Sequence, residues 1–158
     1  MMLSDEEIMK QVLAAFREEE IEHRQAITDI LLELEREQNH PDRQEMITQL
    51  FREAHSLKGG ARAAGQEGVE QLAHRVEDLF SHVKQGKLRL LPEVCDAIYD
   101  TMDAIGTLMS EVAEGKSPDA SNYQPLLDTL TSIIDGTAPF LDQPSAAPEP
   151  EPEPEPAP

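Results

Sequence analysis

The chain has no tryptophan, a single cysteine and few aromatics, 4% of its residues. One thiol, Cys95, excludes an internal disulfide and fits a reducing compartment. Positive charge is also scarce: 13 Lys and Arg stand against 32 Asp and Glu, a formal charge of −19. Such a surface repels phosphate backbones and argues against nucleic-acid binding. No apolar run approaches the roughly 20 residues that a membrane-spanning helix needs. The first residues, Met1-Met2-Leu3-Ser4-Asp5-Glu6-Glu7, are acidic, unlike the start of a secretory signal. The expectation is a soluble, cytoplasmic protein of one domain within 158 residues.

Composition divides the chain. Residues 142–158 contain no Val, Ile, Leu, Met or aromatic, and eight of the twelve prolines lie between Pro139 and Pro158. The alternating Pro148-Glu149-Pro150-Glu151 pattern has nothing to bury and reads as an extended, self-repelling linker. Residues 1–141 are expected to form the domain. Their apolar residues recur every three to four positions, which is helical periodicity.

Five helices are predicted. The first starts at a capping box, Ser4 with Glu7, and runs to about Gln38 before the Asn39-His40-Pro41 breaker. Its apolar face takes in Ile8, Val12, Phe16, His23, Ile27, Ile30, Leu31 and Leu34. The others span about Asp42–Ala64, Gln66–Gln85, Pro92–Gly115 and Asn122–Asp135, with Gly65 and Gly86 as stops. Short connections imply antiparallel neighbours, hence an all-α, antiparallel four-helix bundle with a fifth helix. With no exposed heptad seam, a monomer is expected.

The second helix contains His55-Ser56-Leu57-Lys58-Gly59-Gly60-Ala61. Each interior glycine costs about 1 kcal/mol relative to alanine, so the pair implies that something must come close to the backbone. Leu50, Ala54, Leu57 and Ala61 make a core stripe by their spacing. Phe51, His55, Lys58 and Arg62 repeat that spacing one residue on, which puts His55 and Lys58 on a flank beside the core. In the third helix Leu72, Val76, Leu79 and Val83 face inward and Glu70, His74, Glu77 and Ser81 flank them. If these helices are antiparallel, the two flanks can meet. A carboxylate taking the proton of Nδ1 would leave the lone pair of a neutral imidazole on Nε2, as a nucleophile. A nearby ammonium would offset the charge of a phosphoryl group.

The run His55–Ala61, with Gly65 after it, resembles the phosphorylation motif of histidine phosphotransfer (HPt) domains. It is most similar to the N-terminal phosphotransfer domain of CheA-type chemotaxis kinases. Leu72-Ala73-His74-Arg75-Val76-Glu77-Asp78-Leu79 resembles the next helix of that family. The likeness is strong over Phe51–Gly86 and extends in helix pattern over residues 4–135. It implies that His55 is phosphorylated, that Glu77 holds its Nδ1, and that His74 supports this network. It also implies that Lys58 assists transfer, and that Gly59 and Gly60 give partners access. The implied partners are a histidine kinase catalytic domain, in the same full-length chain or in trans, and an aspartate-bearing receiver domain. ATP belongs to the kinase domain. This chain has no Asn- and Gly-rich nucleotide boxes, so it is expected to need no cofactor and not to be an enzyme by itself.

Competing readings exist for several residues. Glu18-Glu19-Glu20 reads as a solvated helix face, and His82 as plain surface. Glu20-x-x-His23 and Glu37-x-x-His40 match di-iron spacing, but they lie about 26 Å apart along one helix and cannot converge. A zinc site from His55, His74 and Glu77 gives Lys58 no purpose, since an ammonium repels the ion. Ser-His-Asp hydrolysis lacks a strand to expose a serine. The alternatives to phosphotransfer are a non-catalytic helical adaptor and a metal-binding bundle.

Overall fold

The computed structural model describes residues 2–141. The linker expected over residues 142–158 lies outside the described residues. Within them the chain forms five α-helices and no strand. These are α1 (Asp5–Arg36), α2 (Arg43–Ala63), α3 (Glu67–Lys84), α4 (Pro92–Ala113) and α5 (Gln124–Ile134). Short 3₁₀ turns cover Ala120–Asn122 and Pro139–Leu141.

The ends of the helices follow their local chemistry. Ser4 and Glu7 close a reciprocal capping box on α1. Gly65 takes φ +70°, a left-handed conformation open to glycine at little cost. This lets its own N–H reach the Arg62 carbonyl while the Gln66 N–H reaches that of Ala61, so α2 stops in a Schellman turn. The same pair of bonds closes α3, α4 and α5. Between α1 and α2, the Asp42 N–H donates to His40 Nδ1 at 3.0 Å, so His40 acts as a turn residue.

Contacts across the helices fix their directions. Phe16 meets Gly60 and His23 meets Glu53, so α1 and α2 run antiparallel. His55 meets Glu77 and Arg62 meets Glu70, so α2 and α3 do as well. Arg24 meets Gly106 and Glu35 meets Tyr99, and this antiparallel α1–α4 seam closes the four-helix ring. The fifth helix packs on α3 and α4. The predicted stripe Leu50, Ala54, Leu57 and Ala61 is wholly inaccessible, as are Leu72, Val76 and Leu79 of α3. Each Leu or Val side chain buried this way contributes about 1.5–3 kcal/mol.

Three expectations need correcting. First, α1 ends at Arg36, not Gln38, and Ile8 is 46% exposed instead of lying on the buried face. At 1.5 Å per residue the 32 residues of α1 span about 48 Å and the 21 of α2 about 32 Å, so the first turns of α1 overrun their neighbour. Second, Glu20 is buried, not solvated, and accepts two hydrogen bonds from the Arg24 guanidinium. Gly106 leaves room for that guanidinium, because a Cβ there would stand 2.8 Å from Nη1.

Third, the two glycines of α2 do different work. A Cβ on Gly59 would meet nothing within 4 Å, whereas one on Gly60 would press on the Phe16 ring at 2.8 Å. Gly60 therefore lets α1 approach α2, and Phe16 takes the space its missing side chain leaves. Gly59→Ala is expected to raise stability by about 0.5–1 kcal/mol through helix propensity. Gly60→Ala is expected to lower it by about 1–3 kcal/mol, because buried Phe16 cannot yield freely. Urea unfolding of the two variants checks the contrast.

Candidate functional site

The candidate site lies on the flank shared by α2 and α3, one residue round from the core stripe. Leu57 and Ala61 bind α2 to the core, so the helix phase turns His55 and Lys58 toward α3. Val76 and Leu79 do the same for α3 and aim Glu77 back. Glu77 Oε2 stands 2.6 Å from His55 Nδ1, and Oε1 accepts from Lys58 Nζ at 2.8 Å. The Glu77 side chain is 11% exposed while that of His55 is 65% exposed.

These burials set the protonation states. Burial pushes the Glu77 carboxyl upward, but the hydrogen bonds and positive charge of Lys58 and His55 outweigh it and hold the group below its usual range. The ionised carboxylate only accepts, so the proton of the 2.6 Å contact sits on Nδ1. A neutral His55 then carries its lone pair on Nε2, which makes no hydrogen bond among the described residues. Lys58 is 26% exposed, and one of its three protons is committed to Glu77.

The other candidate residues fall variously. His74 was expected to join the network, yet it makes no hydrogen bond to Glu77 among the described residues. Its nearest carboxylate partner is Asp78, 3.7 Å from Nε2 and one helical turn on. Ligand atoms of His74, Glu77 and Asp78 lie within 4.8 Å of one another, but both Glu77 oxygens already serve Lys58 and His55. Gly59 is exposed beside His55. His82 departs from a plain surface role: it is half-buried, with Nδ1 2.9 Å from the Asp78 carbonyl.

Sequence reasoning missed two features. Phe51 stacks beside His55 with ring planes 15° apart and centroids 6.3 Å apart, and Lys84 Nζ lies 5.6 Å from the Phe51 centroid. The spacing of Phe51 and His55 was visible, but nothing local showed that the rings would be parallel. A second histidine–carboxylate pair, His23 Nδ1 to Glu53 Oε2 at 2.6 Å, ties α1 to α2. It joins residues 30 apart in sequence, so no local pattern announces it.

Among the described residues the site is a helical bundle that holds an exposed imidazole by Nδ1, without the strand framework of a hydrolase. Comparison with known proteins narrows this. The model of the Hpt domain family matches residues 11–115, and the chain belongs to that family. Among curated relatives, the chemotaxis protein CheA of Halobacterium salinarum is 38% identical over 104 residues, 66% of this chain and 15% of that protein. The chemotaxis protein CheA of Listeria monocytogenes is 31% identical over 104 residues, 66% of this chain and 16% of that protein. The chain thus spans about a sixth of the length of these relatives. A solved structure described as the phosphorylated P1 domain of CheA3 in complex with CheY6 from R. sphaeroides superposes with a TM-score of 0.69. It is 24% identical and covers 81% of this chain and 98% of that one, a likeness of fold.

The lowered Glu77 value has a direction in pH. A carboxyl held below its unfolded value adds stability that is fully present above the unfolded value and lost as pH falls through the folded one. The Tm gap between wild type and Glu77→Gln should therefore be widest near neutrality. It should close in acid, below about pH 4. Thermal unfolding across that range measures it.

Proposed function

We propose that this chain is the phosphoacceptor domain of a CheA-like phosphorelay, with His55 as the residue that carries the phosphoryl group. The observation that carries the reading is the 2.6 Å contact of Nδ1 with a nearly buried carboxylate, made by a ring that is itself 65% exposed. Nε2 attacks the γ-phosphorus of ATP held by a histidine kinase catalytic domain, in the same full-length chain or in trans. A nitrogen–phosphorus bond forms as the phosphorus–oxygen bond to ADP breaks, and ADP departs with the electron pair. The Nδ1 proton stays between His55 and Glu77, whose negative charge offsets the positive charge of the phosphorylated ring. In the second step an aspartate carboxylate of a CheY-like receiver attacks phosphorus. The nitrogen–phosphorus bond breaks and its electrons return to Nε2.

Lys58 supplies positive charge near the incoming phosphoryl oxygens, using protons not given to Glu77. Gly59 keeps the backbone beside His55 low enough for a partner to approach. His74 stands beside Asp78 and makes no hydrogen bond to His55 or Glu77 among the described residues, so any part it plays is indirect. ATP is bound by the kinase domain, not by this chain, which acts as carrier and not as an enzyme by itself. Its place is the cytoplasm, where ATP and receiver domains are found. None of the helices in the described residues is long and apolar enough to cross a membrane.

Incubation with a cognate kinase domain and labelled ATP tests the reading. The wild type should acquire acid-labile, base-stable label, and His55→Gln none. Label retained on His55→Gln would refute the assignment, and an unlabelled wild type would favour a non-catalytic adaptor. Glu77→Ala should keep its fold by circular dichroism and accept phosphate about tenfold or more slowly, because the tautomer is no longer fixed. An unchanged rate would remove Glu77 from the mechanism.

A further inference from the structure

A single hydrogen bond does not fix an exposed ring. The Nδ1 contact with Glu77 anchors one ring atom of His55, but a hydrogen bond tolerates a range of angles and the imidazole can still rock by small turns about its Cα–Cβ and Cβ–Cγ bonds. That motion sweeps Nε2 through an arc, and an in-line attack tolerates little of it. Phe51 lies one helical turn before His55 on the same flank of α2, with its ring only 15° from parallel and its centroid 6.3 Å away. The separation is that of an offset pair, within the range where aromatic rings attract. A nearly parallel ring at that distance disfavours imidazole orientations that turn away from the shared plane direction.

Phe51 can do this because it is itself held. It is half-buried and packs against the core, and Lys84 of α3 places its ammonium 5.6 Å from the ring centroid. This is a cation–π contact. It ties Phe51 to α3, the same helix that supplies Glu77. The imidazole thus has Glu77 at its Nδ1 and the Phe51 ring lying nearly parallel beside it.

We propose that Phe51 is a positioning residue for phosphoryl acceptance, setting the plane of the His55 ring so that Nε2 faces the donor. The proposal rests on His55 being the acceptor. Phe51→Leu keeps an apolar side chain of similar bulk but removes the aromatic face, and Phe51→Tyr restores it. Both are made in the full chain and checked for folding by circular dichroism. Carbon-13 relaxation at the His55 ring carbons, which needs no kinase, then reports the order of the imidazole. Steady-state phosphorylation by the kinase domain reports the rate at saturation and the KM for this chain.

In Phe51→Leu, ring order should fall and the saturated rate should drop about three- to tenfold with KM unchanged. Phe51→Tyr should match the wild type in both. Ring order unchanged in Phe51→Leu would overturn the proposal. So would a defect confined to KM, which would make Phe51 a docking contact. If the wild type accepts no phosphate, the function proposed for His55 fails by itself, while the relaxation comparison still decides whether Phe51 orders the ring.

Discussion

The carboxylate of Glu77 is the point on which the site depends. Its side chain is nearly buried between two helices, where an unpaired charge costs several kcal/mol. It is therefore held by two partners from α2, the Lys58 ammonium and the His55 N–H. The same pairing that makes the charge tolerable fixes the imidazole tautomer, so local stability and the lone pair left on Nε2 rest on one interaction. The carboxylate is also what relates the two helices at this level of the bundle, since both contacts cross from α2 to α3.

A second pair has similar geometry and a different setting. His23 Nδ1 meets Glu53 at the same 2.6 Å, but Gln49 supplies the second donor to that carboxylate in place of an ammonium. The His23 side chain is 25% exposed against 65% for His55. Orientation of a histidine by a carboxylate is thus a device this bundle uses twice. What distinguishes His55 is access from solvent together with a cation at its carboxylate.

The distribution of positive charge fits this picture. In a chain of formal charge −19, Lys58, Arg62 and Lys84 lie along the α2–α3 flank around His55. Lys58 and Arg62 stand opposite Glu77 and Glu70 there, so this flank is closer to neutral than the chain as a whole. The exposed Gly59 adds room at the same place without a side chain to displace.

The helices, their Schellman stops at Gly65 and Gly86, and the core stripe of α2 were legible from spacing and end-signals, because these depend on residues within a turn or two of one another. The likeness around His55 was legible for the same reason, being a continuous run. What the sequence could not decide were outcomes of register between helices far apart in the chain. It offered Gly59 and Gly60 as one feature, and only the approach of Phe16 from α1 separated them. It placed Glu20 in solvent because Arg24 and the gap at Gly106 come together only when α1 meets α4. Spacing put His74 on the flank and the family likeness drew it into the network, while the packing of α3 gave Glu77 to His55 and left His74 beside Asp78. Local order determined which residue types share a helix face. Tertiary packing decided which of them touch, because a hydrogen bond depends on separations of tenths of an ångström that helical periodicity does not carry.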